Sequence, residues 1–301
     1  MDAALFAAAL AACLPVVWLL PQARWTWHAP RVAILSWQAV GLGLGLTLIG
    51  LPLSVGLAPY GAPTAGAVVR FGADLLRGDL PTGMAPWRVV LTAAGLLIAA
   101  RLLWVTVACL VRALRAQRRH RELLNLVGRV DPAAPGALVL DHPSAAAYCL
   151  PGLRPAVVVS AGTLRLLGRA ELAAVLDHER AHASERHDLV LLPFTALCQA
   201  LPARWLRAAR DAVALLVEMC ADDRARRLHA DAPLVAALRR FATLPGTGVP
   251  AGALGLADRA LEVRMRRLAE RRRPPVLRAT ATLAVSTALA ALPAGLFLLP
   301  G

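Results

Sequence analysis

The segment from Val32 to Leu57 contains no charged residue, and it constrains the fold more than any other stretch. At about 1.5 Å of rise per residue, a helix of that length crosses the ~30 Å hydrocarbon layer of a bilayer. Three more apolar runs accompany it: Ala3–Leu20, Val89–Val111 and Ala279–Pro300. The mean hydropathy is +0.58, and hydrophobic residues make up 58% of the chain against 5% aromatics. The apolar content is therefore mainly Ala, Leu and Val, gathered into runs. The predicted fold is a mainly α membrane protein with four transmembrane helices, at about 3–20, 32–57, 89–111 and 279–301. A fifth apolar stretch, Leu189–Leu201, is short and holds Pro193, so it suits a buried or membrane-surface helix.

The first run starts at Met1-Asp2, without the basic residues of a secretory signal, which predicts an uncleaved anchor. In the second, the Gly41-to-Gly45 spacing would let another helix approach closely. The third contains Arg101, which at mid-membrane either faces a partner or wet cavity, or snorkels to the boundary.

All of the 33 basic residues are arginine, and the formal net charge is +14. A nucleic-acid binder could carry such a charge. Here the clusters sit beside apolar runs, which makes them topology signals, and no direct nucleic-acid binding is expected. Arg112, Arg115, Arg118, Arg119 and Arg121 follow the third run. Arg264, Arg266, Arg267, Arg271, Arg272, Arg273 and Arg278 precede the fourth. Both clusters flank residues 112–278, and the positive-inside rule puts that region in the cytoplasm. The loop with Arg24 and Arg31 would be cytoplasmic too. The Ala58–Trp87 loop and both termini would lie outside. The five cysteines are scattered, with no CxxC pair, so neither a disulfide framework nor a cysteine metal site is expected.

Within 112–278, Ala137–Leu140 and Ala156–Ser160 read as short strands. Arg169–Glu185 reads as a helix, with Leu172, Val175 and Leu176 on one face. A second helix is expected around Arg207–Leu228. The first carries His178-Glu179-Arg180-Ala181-His182. Residues four apart on a helix point the same way, so both imidazoles can bind one Zn2+ ion. Glu179 lies next to the first histidine without being a ligand, as the general base of a zinc peptidase does. A third ligand is needed. A metzincin would have Gly at 185 and His at 188; the chain has Glu185 and Asp188, which excludes that class. His187 and Asp188 qualify only if the helix bends sharply. Glu218, on the second helix, is the better candidate, and Asp222 one turn later could orient a ligand histidine.

HERAH, the later Glu218-Met219-Cys220-Ala221-Asp222 and the preceding Arg154–Ser160 resemble the BlaR/MecR-type membrane metallopeptidases. These form metallopeptidase family 56, related to the Ste/HtpX-type family 48. Tyr148–Gly152 resembles the stretch before their active-site strand. The resemblance implies a gluzincin-like α+β peptidase domain with a small sheet, in the membrane of a bacterium. It implies His178, His182 and Glu218 as zinc ligands and Glu179 as general base. The substrate would lie along Val157–Ser160 as an added strand. Many relatives have Asp five residues after the second histidine, where this chain has His187. Arg224 and His229 are candidates for stabilising the oxyanion. The implied substrate is a cytoplasmic protein, a BlaI-type winged-helix repressor in signal transduction; the alternative, as in family 48, is quality control of misfolded membrane proteins. A non-catalytic sensor or scaffold is the other alternative, and oligomerisation is compatible with each. Because the chain ends soon after the fourth run, no penicillin-binding sensor domain is expected.

Overall fold

A computed structural model describes residues 2–79, 84–152, 154–201, 203–243, 251–270 and 276–298, without the side chains of 251–259. Arg271, Arg272, Arg273, the end of the fourth run and part of the Ala58–Trp87 loop lie outside the described residues. The chain forms two compact units. One is Met1–Ala108 with Pro193–Ala212 and Pro275–Gly301; the other is Cys109–Leu192 with Val213–Pro274.

The first unit is helical. Helices α1 (Asp2–Leu19), α2 (Pro30–Gly56), α4 (Pro86–Val127) and α11 (Val276–Leu298) are long and apolar enough to cross a membrane. Helix α3 (Thr64–Arg77) follows α2 in the chain and precedes α4, so the Ala58–Trp87 stretch is not simply a loop. The third run was expected to end near Val111. Instead α4 continues to Val127, because residues 112–127 are mostly good helix formers with no Gly or Pro before Gly128.

The close approach expected at Gly41 and Gly45 occurs at Gly43, midway between them. A Cβ on Gly43 would sit 2.4 Å from the Leu289 carbonyl oxygen of α11, whereas Gly41 meets only ordinary side-chain contacts and Gly45 open space. Without a hydrophobic drive between apolar helices in lipid, such backbone proximity supplies the dispersion contact that holds them together. Arg101 has a partner: its Nε donates to the Ala200 carbonyl, 3.0 Å away. Ala200 ends α7 (His187–Ala200), so the guanidinium satisfies a carbonyl at the negative end of a helix.

The second unit is α+β. Strands β1 (Arg129–Val130), β2 (Ala137–Leu140), β3 (Ala147–Leu150) and β4 (Ala156–Ser160) form, among the described residues, a sheet of order β1-β2-β4-β3. Strands β2 and β4 run parallel; the other two pairings are antiparallel. After α5 (Ala161–Leu166) comes α6 (Arg169–Ser184). Its Leu172, Val175 and Leu176 pack on Val139, Val157 and Val159 of the sheet. Each such side chain contributes roughly 1.5–3 kcal/mol on burial. Helices α8 (Arg204–Leu228), α9 (Asp231–Ala242) and α10 (Ala251–Ala269) complete the unit, with Ala225, Leu234 and Leu268 forming a second cluster around Ala174.

Strand β4 is paired on both sides, to β2 and β3. A substrate cannot add a strand along Val157–Ser160, as the resemblance implied, because the backbone groups there are already bonded. The free edge on that side of the sheet belongs to β3.

Candidate metal centre

Helix α6 starts where the Glu171 carboxylate accepts the Gly168 N–H at 2.8 Å, and no Pro or Gly breaks it before Ser184. That uninterrupted 3.6-residue winding stacks His178 and His182 one turn apart. Their Nε2 atoms lie 3.2 Å from each other. Glu218, from α8, brings Oε2 to 3.4 Å from the first and Oε1 to 3.5 Å from the second. In a tetrahedral zinc site with bonds of ~2.0–2.2 Å, neighbouring ligand atoms are separated by about 3.3–3.6 Å. The Nε2–Nε2 spacing and the two approaches to Glu218 are of that size, with each histidine meeting a different oxygen of the carboxylate. The donor set, two imidazoles and one carboxylate, therefore fits such an ion and leaves a fourth position open. Among the described residues this is the group of His, Cys, Asp and Glu that could hold a metal.

Behind each histidine stands a different support. His178 is buried, and its Nδ1 lies 3.1 Å from Asp222 Oδ1. Asp222 is itself buried and gripped by Arg264 of α10, with Nε to Oδ2 at 2.9 Å and the second nitrogen to Oδ1 at 2.7 Å. Arg264 also reaches Glu218 Oε2, at 2.8 Å. One guanidinium thus fixes a candidate ligand and the carboxylate behind another. Next to it, Arg267 binds both oxygens of Asp223, at 2.8 and 2.7 Å, so that carboxylate is not free surface charge.

Arg186 has φ of 49°, a left-handed conformation that costs a residue with a Cβ about 1–2 kcal/mol. It ends α6 and turns the chain back. The sharp bend that a role for His187 required is present, but His187 meets the back of His182 instead of the Nε2 cluster. The two Nδ1 atoms are 2.9 Å apart. With His182 Nε2 turned toward Glu218, its Nδ1–H is the donor and His187 Nδ1 the acceptor. The His187 proton then lies on Nε2, 3.5 Å from Glu185 Oε2. A carboxylate and a second imidazole thus orient His182. Asp188 faces Arg186, at 3.4 Å, and takes no place in the cluster.

Electrostatics follow from this arrangement without an ion. Burial opposes charge on His178, but its contacts with Asp222 and Glu218 outweigh burial and raise its pKa to about 9. Burial pushes His182 down to about 4. Burial would raise Glu218, yet the His178 contact and the charge of Arg264 bring it to about 2. Asp222, though buried, is held well below the usual carboxylate range by Arg264 and His178. Glu179 is different. Burial lifts it to about 7, with the Cys149 main-chain N–H of β3 donating to its carboxylate. The free-edge strand and the candidate base are therefore directly joined.

Of the candidates for oxyanion stabilisation, Arg224 is exposed. His229 Nε2 is bonded to Asp177 Oδ2 at 2.6 Å. Nothing in the sequence pointed to Arg264, to the β3 edge, or to His187 as a support behind His182 rather than a ligand. Arg264 lay within a basic cluster read only as a topology signal.

Sheet, ligand geometry and supporting network together describe a metallopeptidase domain in a chain that also carries four membrane-length helices. Residues 113–240 match Peptidase family M48. That segment includes the sheet, His178, His182, Glu218 and Asp222, and stops short of Arg264. The match supports family 48, the relative of the BlaR/MecR group that the motifs first resembled, and it supports a metallopeptidase hydrolase. No solved structure matches the chain.

Proposed function

We propose that this protein is an integral-membrane zinc endopeptidase, with its peptidase domain in the cytoplasm. The observation that carries the reading is the convergence of His178 Nε2, His182 Nε2 and the Glu218 carboxylate, 3.2 to 3.5 Å apart in pairs. When bound, zinc supplies Lewis-acid activation of water and of the scissile carbonyl. The chain's own residues do the rest. Asp222, His187 and Arg264 hold the ligand side chains in place. Glu179 takes the proton of the attacking water and delivers it to the leaving amine, a role suited by a carboxyl shifted toward neutrality. An extended substrate pairs with the free edge of β3, which brings its backbone alongside Glu179.

The family 48 match supports a substrate among misfolded membrane proteins, as in quality control. A BlaI-type repressor is the second reading, supported by the resemblance around Glu218–Asp222. The basic clusters support the cytoplasmic placement. The test compares new protein termini in cells carrying wild type or Glu179→Gln. Termini dependent on Glu179 and lying in membrane proteins support the first substrate class. Termini in a small winged-helix protein support the second. Identical termini in both strains would defeat the catalytic assignment.

A further inference from the structure

Helix α3 divides into three faces. Thr64, Ala67 and Phe71 are buried. Ala67 and Phe71 pack against Leu53 and Leu57 at the end of α2, with Phe297 of α11 alongside. Arg70, Asp74 and Arg77 gather on one flank of that face, with Arg77 and Asp74 3.7 Å apart. On the other flank the apolar arc continues through Leu75, Leu76 and Val69, exposed by 57%, 91% and 72%. An apolar arc wider than the surface it packs on, with charges on the other flank, is the pattern of a helix lying in a membrane boundary.

Its position agrees with that pattern. The last turns of α2 and α11 meet the first turns of α1 and α4 at one end of the helical unit. Phe6 of α1 stacks edge-on against Phe297 at 5.5 Å. Arg88 of α4 donates to the Val55 carbonyl of α2 at 2.8 Å, and its guanidinium lies 4.5 Å from the Trp87 ring. Tryptophan, tyrosine and arginine at helix ends mark the headgroup level. Helix α3 rests on those same ends.

We propose that α3 is an interfacial helix, set in the lipid–water boundary with Val69, Leu75 and Leu76 among the outer acyl carbons and Arg70, Asp74 and Arg77 toward water. This rests on the membrane-spanning reading of α1, α2, α4 and α11. The occupant of the apolar arc is lipid, because the packed part of that arc already sits at the ends of the spans. A partner protein at the same face would leave it wet when the protein is alone.

The test uses the full chain in phosphatidylcholine/phosphatidylglycerol nanodiscs, where both membrane faces are open to solvent. Single cysteines at Val69, Leu76, Arg70 and Arg77, and Leu97→Cys on α4 as a span marker, are reacted with a charged, impermeant maleimide. Wild type supplies the background from native thiols. By protein exposure alone Leu76→Cys reacts fastest. The inference reverses that order: Val69→Cys and Leu76→Cys react at least tenfold more slowly than Arg70→Cys and Arg77→Cys. A fluorophore at Leu76→Cys, but not at Arg77→Cys, is quenched by lipids spin-labelled near the headgroup. Equal rates at all four α3 positions with Leu97→Cys protected overturn the interfacial helix alone. A reactive Leu97→Cys overturns the spanning reading and this inference with it.

Discussion

The two units solve opposite problems with polar groups. In the helical unit, hydroxyls bond back to their own helix, as Ser36 does to the Val32 carbonyl at 3.0 Å and Thr92 to the Arg88 carbonyl at 2.9 Å. Arg101 spends its Nε on a helix-end carbonyl. Packing there depends on small residues that let backbones touch, as at Gly43. In the peptidase unit, charged groups are drawn together: Glu218, Arg264 and His182 join the buried Asp222 and His178 in one network. The contrast shows where each unit is fragile. One loses stability when a small residue grows. The other loses it when a charge loses its counterpart.

Four substitutions test that division. Glu179→Gln removes a proton carrier without touching either packing scheme. Proteolysis should fall by about 10²–10⁴-fold, with metal content by atomic emission unchanged. Metal lost along with activity would mean that Glu179 belongs to the supporting network. Arg264→Ala leaves the buried Asp222 carboxylate and the partly exposed Glu218 without their cation and should cost the peptidase unit about 3–5 kcal/mol, read by denaturant unfolding. A change under 1 kcal/mol would show that the network is not what holds that unit. His187→Ala unpins one ligand and should weaken zinc binding by about 10–100-fold in chelator competition; unaltered affinity would remove His187 from the site. Gly43→Ala drives a methyl into the Leu289 carbonyl and should cost about 1–3 kcal/mol. The loss should appear in thermal unfolding in lipid while zinc affinity stays the same. A zinc affinity that moved with it would break the separation of the two units.

The parts legible in the sequence are those written in periodicity. Uncharged runs located α1, α2, the first half of α4 and α11. The 3.6-residue pattern located α6, a second expected helix coincides with α8, and apolar Val-containing stretches located β2 and β4, though not their pairing. The His178–Glu218 group followed from spacing on helices already placed. What stayed hidden depends on tertiary contact. Ala147–Leu150 is as short as β2 but holds no Val, Ile or Thr and runs into Pro151, so nothing in it announces a strand. Arg264 lies 42 positions beyond Asp222 in sequence, and nothing local sets it apart from Arg266 and Arg267. His187 needed the left-handed turn at Arg186, a conformation rarely adopted outside Gly and Asn. The strand assigned to the substrate was misplaced because a sequence shows which residues form strands but not which strand lies at the edge.

The Arg264 bridge also makes α10 a mechanical part of the metal centre. Arg264 leaves α10 and meets Asp222 and Glu218 of α8, so any shift of α10 moves a candidate ligand and the carboxylate behind another together. The segment that matches the family, residues 113–240, contains both carboxylates but not the cation between them.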